Sequence, residues 1–185
     1  MKKRLSVLLL VLLSGCANVS QMPIYTVTDQ ELEQTLDNQL TKLQKTFQLT
    51  GVSVTLDIND MSAHIGPDGR DVVRLGANAA VNTSVFGFVY PATAHLELEG
   101  TPYYDRDKKA IFVRSLALID STIDSAGFQG NLAPVSGQLM MLINGYLASH
   151  PVYQLEDNLV TGLISTVPLE LRIEPGQLAL RRQGQ

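Results

Sequence analysis

Few residues in this chain have the chemistry to react. Cys16 is the single cysteine among 185 residues. No disulfide can form within the chain, and an odd cysteine asks for a separate role. His64, His95 and His150 lie far apart, and none has metal-ligand spacing to another histidine, a cysteine or an aspartate. His95 falls on the polar phase of a strand pattern, and His150 closes a helix pattern next to Pro151, which reads as surface and helix-end placement. There is no Gly-x-Ser-x-Gly elbow, phosphate loop or dinucleotide fingerprint. Asp105 and Asp107 lack the downstream ligands of a calcium loop and read as a solvated turn. The sequence therefore predicts no enzyme, no metal and no cofactor.

Cys16 stands at the end of a leader. Met1-Lys2-Lys3-Arg4 is basic, Leu5 to Leu13 is almost wholly apolar, and Leu13-Ser14-Gly15-Cys16 resembles a lipobox. The apolar run is too short to span a bilayer, which takes about 20 residues. The resemblance implies that residues 1–15 are a lipoprotein signal peptide, cleaved after Gly15. It also implies that the Cys16 thiol carries a diacylglyceryl group with palmitate-like chains. One chain holds a protein only marginally and two or more hold it stably, so the expected membrane partner is reached through the N-terminus alone. Ala17, where Asp would signal inner-membrane retention, resembles the sorting pattern of outer-membrane lipoproteins facing the periplasm. Residues 16–26 are then the lipidated cysteine and its tether, with Pro23 in a polar stretch.

Charge narrows the partners further. The formal net charge is −4, and loss of Lys2, Lys3 and Arg4 with the leader takes it to −7. An acidic chain without basic runs is a poor candidate for nucleic acid. About 170 residues remain, enough for one domain with its own core, and 27–185 reads as a single α+β domain.

The elements follow from patterning. Thr28-Asp29-Gln30-Glu31 has the form of a capping box. Leu32, Leu36, Leu40, Leu43 and Phe47 then recur at spacings of four and three, which predicts an amphipathic helix over 29–48 ending at Gly51. Val52, Val54, Leu56 and Ile58 alternate with polar residues as in a strand with one wet face. The phase slips near Asn59-Asp60 and resumes at Met61, Ala63 and Ile65, which predicts a bulge or bend. Gly66-Pro67-Asp68-Gly69 is a turn. Residues 71–86, 91–100 and 110–124 read as long strands, and 134–149 as a second helix stopped by Pro151. Residues 157–165 read as a short helix. Leu169, Leu171 and Ile173 enter a hairpin through Glu174-Pro175-Gly176-Gln177, returning at Leu178 and Leu180. The small residues Ala77, Ala79, Ala80 and Gly87 suggest a twisted, curved sheet. The expected fold class is α+β: a long amphipathic helix wrapped by a strongly curved antiparallel sheet, with a second helix and a C-terminal hairpin.

Several stretches together resemble the YceB-like lipoproteins, a family of unknown function in Gram-negative bacteria. They are the lipobox ending at Cys16, Tyr25-Thr26-Val27-Thr28-Asp29-Gln30-Glu31, Ala110-Ile111-Phe112 and Glu174-Pro175-Gly176. The resemblance covers nearly the whole mature chain. It implies a fold similar to one half of the bactericidal permeability-increasing protein, where a groove between helix and sheet can hold acyl chains. The family carries no catalytic motif, so Cys16 alone is carried over as a site.

Two functions remain open. One is a lipid or other apolar ligand held in a groove between helix and sheet, lined by Leu36, Leu40, Leu43, Phe47 and Met140. The leucine stripe, Met140-Met141 and the aromatic group Phe86, Phe88 and Tyr90 motivate it, since methionine adapts to irregular apolar ligands and pockets are mostly apolar. The same residues could simply fill a core. The other function is a structural lipoprotein that binds an envelope protein through a surface patch or sheet edge.

Overall fold

The computed structural model describes residues 22–40, 44–49, 52–126, 128–130, 136–156 and 167–184. Cys16, Leu43 and the short helix expected over 157–165 lie outside them. The chain opens with strand β1 (Tyr25–Thr28) and turns into helix α1 (Asp29–Leu40). The capping box forms as expected. The Thr28 N–H donates to Glu31 Oε2 at 2.8 Å, and the Glu31 N–H donates to the Thr28 hydroxyl at 3.3 Å. Leu32 and Leu36, one turn apart, are fully buried.

The helix does not continue to residue 48. Gln44–Leu49 is strand β2, paired antiparallel with the start of β3 (Val52–Ile65), so Phe47 lies on a strand opposite Val54. Lys45, Phe47 and Leu49 also fit a two-residue period, and β-branched Thr46 suits a strand. Pairing with β3 along Val52–Asp57 decides between the two patterns. In all, 62% of the described residues lie in strands and 17% in helices. This overturns the expected α+β fold of a long amphipathic helix wrapped by a curved sheet; the fold is predominantly β.

The larger sheet has the order β2-β3-β4-β5-β6-β7, all antiparallel neighbours, with β4 at Val73–Val85, β5 at Phe88–Asp105, β6 at Ala110–Ser125 and β7 at Phe128–Gly130. After β7 come α2 (Ser136–Leu147) and β8 (Tyr153–Gln154), which pairs with the start of β6. The expected bulge is present: Ile58 opposes Ala79 and Asp60 opposes Asn78, so Asn59 is left over and the apolar phase survives into Met61. Two more register shifts, after Glu97 and after Glu99, interrupt the β5–β6 ladder. A side chain at Gly100 would collide with Val113 and approach the Arg114 carbonyl at 3.0 Å, so a glycine is needed there for the strands to close.

The smaller sheet joins the two ends of the domain, in the order β1-β10-β9, with β9 at Leu169–Glu174 and β10 at Gln177–Arg182. Its turn residue Gly176 (φ 78°) donates its N–H to the Ile65 carbonyl at 2.9 Å, which seats the hairpin against the end of β3. One core joins both sheets and both helices: Val27, Leu32, Leu36, Ile65, Val73, Ile111, Leu147, Val152, Leu178 and Leu180 belong to it.

β2 covers only the first part of the β3 edge. Beyond it α1 takes over with three carboxylates. Asp37 accepts from the Met61 N–H at 2.9 Å, Glu33 from Ala63 at 3.4 Å, and Asp29 from Ile65 at 2.8 Å. Four helical residues rise about 6 Å and two strand residues about 6.8 Å. Acids four apart therefore meet strand amides two apart. The edge donors are satisfied and closed to pairing with another chain.

Candidate functional site

Cross-strand partners point to the same side of a sheet. Followed through the register of β3, β4 and β5, one side of the larger sheet is apolar apart from Thr83. At the core end it carries Ile65, Val73, Ala63, Leu75 and Leu98. Next come Met61, Ala77 and Leu96, then Ile58, Ala79, Ala94 and Ile123, then Leu56, Val81 and Ala92. The last rows are Val54, Thr83 and Tyr90, then Val85 and Phe88. Helices and the small sheet pack over the core end. The far end is open: Phe88 is 69% exposed and Tyr90 55%. The alanines at 77, 79, 92 and 94 keep the middle of this face low.

The apex is the turn Val85-Phe86-Gly87-Phe88. Phe86 (φ 48°) and Gly87 (φ 85°) both have positive φ, as a two-residue type I′ hairpin requires. Glycine adopts this without strain, whereas a β-carbon there costs roughly 1–2 kcal/mol. Phe86 is 97% exposed, so no packing offsets that strain.

The opposite side of the sheet is polar and internally paired. Arg70 and Arg74 both bond Glu99, with Arg74 Nη2 at 2.8 Å from its Oε1. The hydrogen bonds from Arg70 and then Arg74 hold the Glu99 carboxyl at about 2. Asn78 donates to Asp60 at 3.0 Å, so its carbonyl oxygen is left to accept from His95 Nδ1 at 2.8 Å. His150 stacks on Tyr146 at 4.0 Å, and its Nδ1 lies 2.9 Å from the Tyr146 carbonyl. His64 is exposed. Among the described residues no three histidine, cysteine or acidic side chains are placed to hold a metal. The Tyr25 and Tyr153 hydroxyls meet at 3.0 Å in the core, where burial pushes the Tyr153 phenol well above its usual range. These contacts hold the fold together; at the end of α2 the Ser149 hydroxyl also lies 3.0 Å from His150 Nδ1 and donates to the Tyr146 carbonyl at 3.0 Å.

The residues named for a groove are dispersed. Leu36 is 1% exposed within the shared core, and Met140 of α2 packs against the same core from its rim. Leu40 ends α1, Phe47 lies on β2, and Leu43 is outside the described residues. The aromatic group at 86–90 stands at the hairpin apex. Its signal in the sequence was an aromatic cluster around Gly87 with polar Asn82, Thr83 and Ser84 before it.

The profile of a family described as a protein of unknown function, DUF1439, matches residues 27–177. The chain belongs to the DUF1439 family. The match spans β1 to the first residue of β10, so it takes in both sheets. Relatives of this DUF1439 protein include the uncharacterized lipoprotein YceB of Escherichia coli K12. It is 26% identical over 173 residues, covering 91% of this chain and 90% of the relative. The uncharacterized lipoprotein YceB of Salmonella typhimurium is equally similar, at 26% over 173 residues. The YceB-like resemblance read from the sequence is thereby shown, and a lipoprotein of unknown function fits this DUF1439 chain. Among the described residues no helix is long and apolar enough to cross a membrane.

Proposed function

We propose that this protein is an outer-membrane lipoprotein, anchored through Cys16 and facing the periplasm, that binds a lipid or similar apolar ligand along the inner face of its larger sheet. It acts by binding rather than by catalysis. One observation carries the reading: the apolar side of β3, β4 and β5 does not stop at the packed core. It runs on through buried Ala79, Val81 and Ala94, outside the main core cluster, and half-buried Ala92 to exposed Tyr90 and Phe88. A low apolar track with one open end suits an acyl chain, whose burial is favourable per CH₂ and needs no directional partner. The lipidated cysteine and the Ala17 sorting residue support the location.

Native mass spectrometry of the full-length protein after mild extraction tests the ligand. The expected result is co-purifying acyl lipid beyond the covalent anchor, reduced when Ala92→Trp fills the track. No such lipid, together with no uptake of a fluorescent fatty acid, would remove the proposal.

A further inference from the structure

Phe86, Phe88, Val89 and Tyr90 form an exposed apolar wedge at the β4–β5 apex. Phe88 and Tyr90 lie on the inner face, opposite Val85 and Thr83, while Val89 opposes Ser84 on the outer face. Phe86 caps the end. The wedge is thus apolar on both sides and at its tip. A protein surface would cover one side of it, whereas a fluid apolar medium surrounds all of it.

Charge points the same way. No Asp, Glu, Lys or Arg occurs between Arg74 and Glu97, nor in 52–56 of the adjacent strand. Nothing in these stretches of β3, β4 and β5 would have to be desolvated as an ion; the nearest charged residues in the paired strands are Lys45, opposite Leu56, and Asp124, opposite Thr93. The backbone is also prepared. Among the described residues β5 meets β6 only from Thr93, so Phe88–Ala92 extends about 17 Å past that neighbour. On this bare edge Pro91 presents its carbonyl, which accepts from the Ser125 hydroxyl at 2.9 Å, and has no N–H to offer. An added strand from a protein partner would find its ladder broken there. Phenylalanine at the tip with tyrosine just behind it matches the layering of a bilayer interface, where tyrosine sits at headgroup level.

We infer that the Phe86–Tyr90 hairpin tip inserts into the surface of a lipid bilayer. The inference deepens the ligand reading, because the tip is the open end of the apolar track, and it makes the bilayer the place where the track exchanges lipid. Insertion is apolar rather than electrostatic, so it persists at high ionic strength.

The chain contains no tryptophan, so a single one reports cleanly. Full-length lipidated Phe86→Trp protein is reconstituted into phosphatidylethanolamine–phosphatidylglycerol vesicles, with or without brominated acyl chains. Asp107→Trp, in the exposed β5–β6 turn, is the control. The expected result is a blue-shifted emission from the Phe86→Trp protein that brominated lipid quenches and salt does not restore. Emission from the Asp107→Trp control stays water-like and unquenched. Tyr90→Trp repeats the reading at a second site if the first variant loses its strand signal in circular dichroism. Water-like emission from the tip overturns the inference. So does a blue shift without bromine quenching, which would mean that a second copy or another protein covers the tip. Quenching with no co-purifying lipid would keep the tip and discard the ligand track; lipid in the track with an unquenched tip would do the reverse.

Discussion

Asp29 Oδ1 accepts the Ile65 backbone N–H at 2.8 Å, joining residues 36 apart in the chain. It is the first of three carboxylates on α1 that close the free edge of β3. A helix normally meets a sheet through its apolar face; here its acidic face does the second half of the work by ending a ladder.

Removing one of these acceptors leaves a partly buried amide without a partner. Asp37→Ala is expected to destabilise the protein by about 1–2 kcal/mol, read as a lower urea midpoint at unchanged slope. Asp37→Asn keeps an oxygen toward Met61 and should recover most of the loss. Because the bare edge can then pair with another chain, Asp37→Ala should also aggregate faster.

Glu99 sets an acid limit. Its carboxyl is held at about 2, below its ordinary 4.5, by Arg70 and Arg74. A depressed folded value means stabilisation that is complete above the ordinary value and lost as pH falls toward the folded one. The urea midpoint should therefore fall between about pH 5 and pH 2, and Glu99→Gln should flatten that fall. An unchanged slope in the variant would show that other carboxylates dominate acid unfolding.

Leu36, expected to line a ligand groove, lies within the core. Leu36→Ala should destabilise by about 2–5 kcal/mol through lost transfer energy and a residual cavity. Bound lipid per folded molecule should stay as it is. A loss of lipid at unchanged stability would return Leu36 to the ligand site.

Local signals were legible in the sequence. The capping box at Thr28, the bulge at Asn59, the hairpin turn at Glu174–Gln177 and the second helix all depend on residues close together in the chain. The failure at β2 has a definite cause. Leu40, Leu43 and Phe47 continue a helical spacing, while Phe47 and Leu49 also alternate, and the choice is made by pairing with β3. β1 leaves no mark for the same reason, since Tyr25–Thr28 is a strand only because Gln177–Leu180 lies beside it. The aromatic group at 86–90 stood out in the sequence, but its exposure did not. Neighbouring apolar residues of this kind read as core until the register shows that β6 and β7 stop short of them.

The pairing of β1 with β10 also has a kinetic side. Tyr25 cannot find Leu180 until the next 155 residues have been made (180 − 25), and closing so long a loop is slow. Until then the first strand has no ladder partner, although α1 can already dock on the edge of β3. A nascent chain built this way keeps its smaller sheet unformed until the β9–β10 hairpin has been made.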